Sequence, residues 1–222
     1  MLDKACSKGP PFSQLAAWCL REPACVCACV SAFESAAGIS VDYSFDVDLA
    51  NRWGCTGVAA DPTIVHNSTL HPGVTFHNIA ANSPWLAAQK NSKCLKTSVP
   101  GLRKWLKHDR LAVLKMDCEG CEYSIAADVL AEDPMFFSKV DQLAIEVHWS
   151  KVWLKSKTEL HAIARLLELL EKAGLKLMHA DLTPCAPADM ATGLLPELQE
   201  YMGVLFAPKP DLHCHNYLFA RI

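Results

Sequence analysis

The feature that most constrains this chain is an alternation: short apolar runs, each closed by an acid or a polar turn, separated by segments with helical spacing. In the first half the runs are "VCACVSAFE" (26–34), "CTGVAAD" (55–61) and "GVTFHNIAA" (73–81), each with the length and composition of a short buried strand. Between the first two lies "SFDVDLANRWG", with Ser44 placed as an N-cap, Asp46 and Asp48 in the first turn, and Gly54 where a helix would stop. The rhythm continues with a helix at "PGLRKWLKH", opened by Pro100 and carrying Leu102, Trp105 and Leu106, then a strand at "RLAVLKMD" and a helix from about Glu122. "VDQLAIEVHW" reads as the next strand. "SKTELHAIARLLELLEKAG" reads as a helix with a capping box (Ser156, Glu159), an apolar stripe (Leu160, Ile163, Leu166, Leu167, Leu170) and Gly174 as its stop. "LKLMHAD" (175–181) and "NYLFARI" (216–222) are the last strands, separated by a long loop with a short helix around "LLPELQEYM". Strands alternating with helices need crossover connections, so a mainly parallel sheet covered on both faces is expected.

Length and composition narrow the class. The 222 residues are 51% hydrophobic and 20% charged, enough for one well-buried domain. We read a single domain over 1–222, with an N-terminal extension at 1–24 and a loop insertion at 182–214. The net charge of −3 gives no global attraction to nucleic acid. The basic run from Lys90 to Lys115 reads as a solvated face. No apolar stretch reaches membrane-spanning length, so no span is expected in this chain. An anchor upstream of Met1 stays open, as do the compartment and the oligomeric state. Eleven cysteines are an odd count in a chain too large to need disulfide staples. Cys25, Cys27 and Cys29 would share one strand face as small hydrophobes.

In open parallel sheets, ligands bind beyond the carboxyl ends of the strands, near the point where strand order reverses. Those ends carry Glu34, Asp61, positions 78–81, Asp117, and Glu146 with His148. An acid ending the second strand suits a ribose diol, which makes Asp61 a candidate for a nucleoside-containing cofactor, although an Asp before Pro62 is also an ordinary turn former. "SAAGIS", after Glu34, lets a ligand approach the backbone. A carboxylate cluster could instead hold a divalent cation. Each candidate also has a structural reading. Glu119 and Gly120 shape a turn, Glu122 suits a helix amino terminus, and His148 beside Trp149 could be a satisfied half-buried histidine. His213 and His215 at i, i+2 spacing read as incidental.

"LAVLKMDCEGCE" (111–122) resembles the "lKiDvEGaE" signature of FkbM-type methyltransferases, a branch of the class I S-adenosylmethionine-dependent enzymes. "VDQLAIEVHW" resembles the "QLaiEiH" strand of their methyltransferase-like relatives, and "DYSFDVDLANRWGCTGVAADPT" a segment of the same branch. Together these cover roughly residues 26 to 150. The resemblance implies a Rossmann-like α/β fold: a seven-stranded, mainly parallel sheet with helices on both faces and the last strand antiparallel. It implies S-adenosylmethionine as cofactor, held by Glu34, Gly38, Asp61, Ile79 and Ala80, with Ala36 standing where many class I enzymes carry glycine. Asp117, Glu146 and His148 would face the acceptor, with Asp117 and His148 the first choices for catalysis and Glu119 and Glu122 on the same wall. The implied activity is O-methylation of a small molecule or glycan, and no metal is assigned. A non-catalytic methyltransferase-like module and a carboxylate-bound metal protein are the rival readings. The family carries small or apolar residues at positions 118 and 121, so both cysteines are expected to be passengers.

Overall fold

A computed structural model describes residues 26–30, 44–61, 69–77, 79–81, 95–118, 121–149, 156–183 and 214–222. Among them are strands β1 (Val26–Val30), β2 (Thr56–Ala60), β3 (Thr69–His71), β4 (Val74–His77), β5 (Ile79–Ala81), β6 (Leu95–Thr97), β7 (Leu111–Met116), β8 (Val140–His148), β9 (Leu175–Thr183) and β10 (Cys214–Arg221). The helices are α1 (Ser44–Trp53), α2 (Val99–Trp105), α3 (Glu122–Glu132) and α4 (Lys157–Lys172), with a 3-10 turn at Phe136–Lys139.

Eight strands form one sheet in the order β3-β4-β2-β1-β7-β8-β10-β9, and β5 and β6 pair separately. The neighbours β4, β2, β1, β7 and β8 run parallel. β10 is antiparallel to both β8 and β9. The α/β, Rossmann-like layout therefore stands, with the antiparallel last strand, but among the described residues the sheet holds eight strands where seven were expected. The extra one is β3, an antiparallel edge strand on β4. The third apolar run, expected as one strand, breaks after His77. The β4 ladder ends level with Ala60, where Asp61 N–H donates to the His77 carbonyl (3.2 Å), and the chain beyond it pairs with β6.

The alternation of side chains along each strand sends one set to each face. On one face, Leu49 and Ala50 of α1 help to bury Val113, Ala59, Val74 and Phe76. On the other, Ile125 and Val129 of α3 and Ile163, Leu166 and Leu170 of α4 share a core with Leu114, Met116, Leu143 and Ile145. Local chemistry sets the helix ends. Ser98 Oγ accepts from Gly101 N–H to cap α2, and Ser156 Oγ accepts from Thr158 N–H to cap α4. Gly54 and Gly174 take the left-handed conformation just past α1 and α4, where a side chain would be strained. Leu167 corrects the expected α4 stripe: it is 47% exposed while Ile163, Leu166 and Leu170 are buried. The basic run is not all solvated either, since Arg103 is buried against Asp133.

Candidate active site

The parallel strands bring the predicted site residues into register. Ala60, Val30, Met116 and Ile145 are aligned across β2, β1, β7 and β8. Asp61, Asp117 and Glu146 each stand one residue further along. They therefore form a row at the carboxyl edge, on the side where α1 packs, since aligned residues in parallel strands project to the same face. With strands about 4.8 Å apart, Asp117 and Glu146 are neighbours, and Asp61 lies about 10 Å from Asp117 across β1. The chain runs outward from β1 to β2 and β4 on one side and from β7 to β8 on the other, so the row spans the point where strand order reverses. His148, two residues beyond Glu146, projects to the same side of β8.

Glu122 fixes His148. It is fully buried in the first turn of α3, and its Oε1 accepts from the His148 backbone N–H (3.0 Å) and lies 3.1 Å from His148 Nδ1. Tyr123 O–H donates to the His148 carbonyl. The other ring nitrogen, Nε2, stands 3.9 Å from Asp117 Oδ1 and 4.0 Å from Glu146 Oε1, both beyond hydrogen-bond reach. Nδ1 is thus anchored while Nε2 is presented between two carboxylates. Lys115, on the same face of β7 as Asp117, brings Nζ to 3.9 Å from Asp117 Oδ2.

Electrostatics follow from this crowding. Burial opposes a charge on His148, but the hydrogen bond to Glu122 and the charges of Glu122, Glu146 and Asp117 outweigh it and raise the imidazole to about 9. Burial also pushes the Asp117 carboxyl up. Lys115 and His148 pull it down, Glu122 and Asp61 push it up again, and the net shift is upward. Glu146 behaves alike: burial and then Asp117 raise it more than His148 and Lys115 lower it. At neutral pH the site therefore holds an imidazolium between carboxylates that ionise reluctantly.

The cysteines at 118 and 121 are not passengers: they are bonded to each other. Two groups of potential metal donors occur among the described residues, Cys118–Cys121–Glu122 and Glu146–His148–Cys214. The sulfurs in both are in disulfides, so neither group offers a thiolate.

Asp117, Glu146 and His148 come together, with Asp61 in the same row. Glu122, expected on the same wall as these three, is instead fully buried behind His148. Ile79 is buried in the same core as Ala60, the residue before Asp61. Ala80 pairs with Lys96 in the small sheet. Glu34, Gly38, Glu119 and Gly120 lie outside the described residues. Sequence reasoning missed Lys115 and Tyr123. Lys115 was visible in principle, being two residues before Asp117 on one strand face.

A carboxylate and an apolar side chain are the chemical types that a nucleoside takes; Asp61 and Ile79 are of those types and both are buried, Ile79 in the core that Ala60 shares. No protein-family model matches the chain, and no curated protein matches it with significance. Solved structures do match. They include the cyclopropane synthase MmaA2 from Mycobacterium tuberculosis (10% identity over 94% of this chain and 82% of that one, TM-score 0.40). Another is an uncharacterized protein from Listeria monocytogenes serotype 4b (10% identity, 97% and 68%, TM-score 0.42). A third is the plantazolicin methyltransferase BpumL in complex with SAH (10% identity, 95% and 81%, TM-score 0.38). The fold class of this chain rests on its own strand order and strand directions.

Proposed function

We propose that the chain is an S-adenosylmethionine-dependent methyltransferase acting on a hydroxyl of a small molecule or glycan. The observation that carries this reading is the row of Asp61, Asp117 and Glu146 at the strand-order reversal, with His148 Nε2 held between the last two. Asp61 would take the ribose hydroxyls and Ile79 would line the adenine, with Glu34, Gly38 and Ala80 as the further cofactor contacts. When bound, the cofactor supplies a methyl group on a sulfonium.

The chain's own part is to hold the acceptor and take its proton. His148, charged at neutral pH, donates from Nε2 to the acceptor oxygen and fixes its position. Proton removal then falls to Asp117 or Glu146, whose raised carboxyls sit nearer the working range of a general base than ordinary ones do. A hydroxyl between Nε2 and either carboxylate would turn a 4 Å gap into two hydrogen bonds.

Isothermal titration calorimetry with S-adenosylhomocysteine tests the cofactor half. Micromolar binding is expected, weakened about tenfold or more in Asp61→Ala by loss of a charged hydrogen-bond partner. A folded protein that takes up no S-adenosylhomocysteine at all would remove the proposal.

A further inference from the structure

The Cys118–Cys121 bond occupies a position that the proposed methyl transfer does not explain. Cys118 directly follows Asp117, and Cys121 is the N-cap of α3, directly before Glu122. One covalent bond thus ties the neighbour of a row carboxylate to the neighbour of the carboxylate that holds His148. Cys118 Sγ lies 3.7 Å from Glu122 Oε2, and Ser124 donates from both N–H and Oγ–H to the Cys121 carbonyl, fixing Cys121 to the first turn of the helix.

The bond closes a ring over only two intervening residues, so it removes little entropy from the unfolded chain. The core described above, built from both faces of an eight-stranded sheet, does not need it as a staple. As a leaving group during exchange, a thiolate at Cys121 would sit at the positive end of α3.

We propose that Cys118–Cys121 is a reversible thiol–disulfide site, open to a dithiol reductant, that sets the position of Glu122 and through it of His148. A reductant thiolate attacks Cys118 Sγ, the S–S bond breaks, and Cys121 leaves as thiolate. The reductant's second thiol then displaces Cys118. The reductant is oxidised to its disulfide, the pair gains two electrons, and the two thiol protons end on Cys118 and Cys121. Both sulfurs are buried, so exchange proceeds through local opening of the head of α3. In the reduced protein Glu122 loses its covalent brace while Cys118 gains an S–H that can donate to Glu122 Oε2, the oxygen that His148 does not use. This inference goes beyond the methyltransferase reading and holds whatever the site transfers.

Hydrogen exchange of the intact protein, resolved to the His148 amide, tests it under graded dithiothreitol, with alkylation and mass spectrometry reporting which pairs have opened. The His148 amide donates to Glu122 Oε1 and reads the positioning directly. Its exchange should rise about tenfold or more in step with the opened fraction of Cys118–Cys121 and not of Cys214, while the amide of Leu166 in α4 is unmoved and reoxidation restores protection. The Cys118→Ala/Cys121→Ala variant should show the same rise without reductant. The proposal fails if the pair opens and His148 is unchanged, if the pair resists excess dithiol in the native state, or if its opening melts the whole fold.

Discussion

His148 is shaped by a residue 26 positions earlier in the chain. Its charge persists at neutral pH because Glu122 meets both its backbone N–H and its ring. The folded imidazole, near 9, lies above the ordinary 6.5. It therefore contributes stability that is fully present below 6.5 and lost as pH rises through about 9. A shift of this size corresponds to on the order of 3 kcal/mol. NMR titration of the His148 ring should find a pKa near 9 in the parent. Glu122→Gln removes the carboxylate charge and leaves only a neutral acceptor, with the burial unchanged, so the ring should titrate below the parent and the alkaline loss of stability should begin at lower pH. A ring pKa unchanged in that variant would show that Glu122 does not set the charge. The sequence made Asp117, Glu146 and His148 legible because each is a polar group at a strand end. The sign of the charge on His148 was not legible, since it depends on a partner that only the packing of α3 against β8 supplies. The same holds for the Cys118–Cys121 bond, where spacing permits a bridge without requiring one.

Helices with strong local signals were readable to within a residue or two, and α4 is the clearest, with Ser156 at its start and Gly174 past its end. Burial along them was less readable. Leu167 fits the helical period of its neighbours yet faces solvent, because which edge of a wide stripe meets the sheet is set by packing angle. Charge was read least well. Arg103 belongs to a basic run, but it is buried at the end of α2, donating to the carbonyls of His108 (2.8 Å) and Asp109 (3.2 Å) and to Asp133 (2.7 Å) at the end of α3, over the Phe136 ring. Truncation would leave the Asp133 carboxylate with Lys139 and the Met135 N–H, and two backbone acceptors unmet. Arg103→Ala should cost on the order of 3 kcal/mol in chemical denaturation, as removal of one member of a buried pair does. A loss no larger than that of an exposed ion pair would mean that water replaces the guanidinium there.

Across the molecule, strand and helix alternation foretold the α/β class but could not foretell the neighbours, because periodicity carries no information about which strand lies beside which. The edge strand β3 was missed for a related reason: three residues are too few to show a period, and β3 exists only because β4 offers it an open edge. The far side of the sheet is closed by long-range ties of a different kind. Arg221, at the end of β10, donates to the carbonyls of Phe137 (3.0 Å) and Val140 (3.1 Å), where β8 begins, and to that of Ala173 at the end of α4. One guanidinium thus joins three segments as much as 84 residues apart in sequence. Its flat fork suits that task, because its donors leave in fixed directions toward separate acceptors, whereas a lysine ammonium is a single point on a flexible stem. Arg221→Ala should therefore lower stability by about 3 kcal/mol, read as a fall in the urea midpoint at unchanged slope, since charge-assisted bonds to backbone carbonyls are lost together and do not add independently. Arg221→Lys should recover less than half of that loss. If lysine restores it fully, the positive charge near Asp141 matters more than the fork, and the tie between the end of β10, the start of β8 and the end of α4 is electrostatic and not geometric.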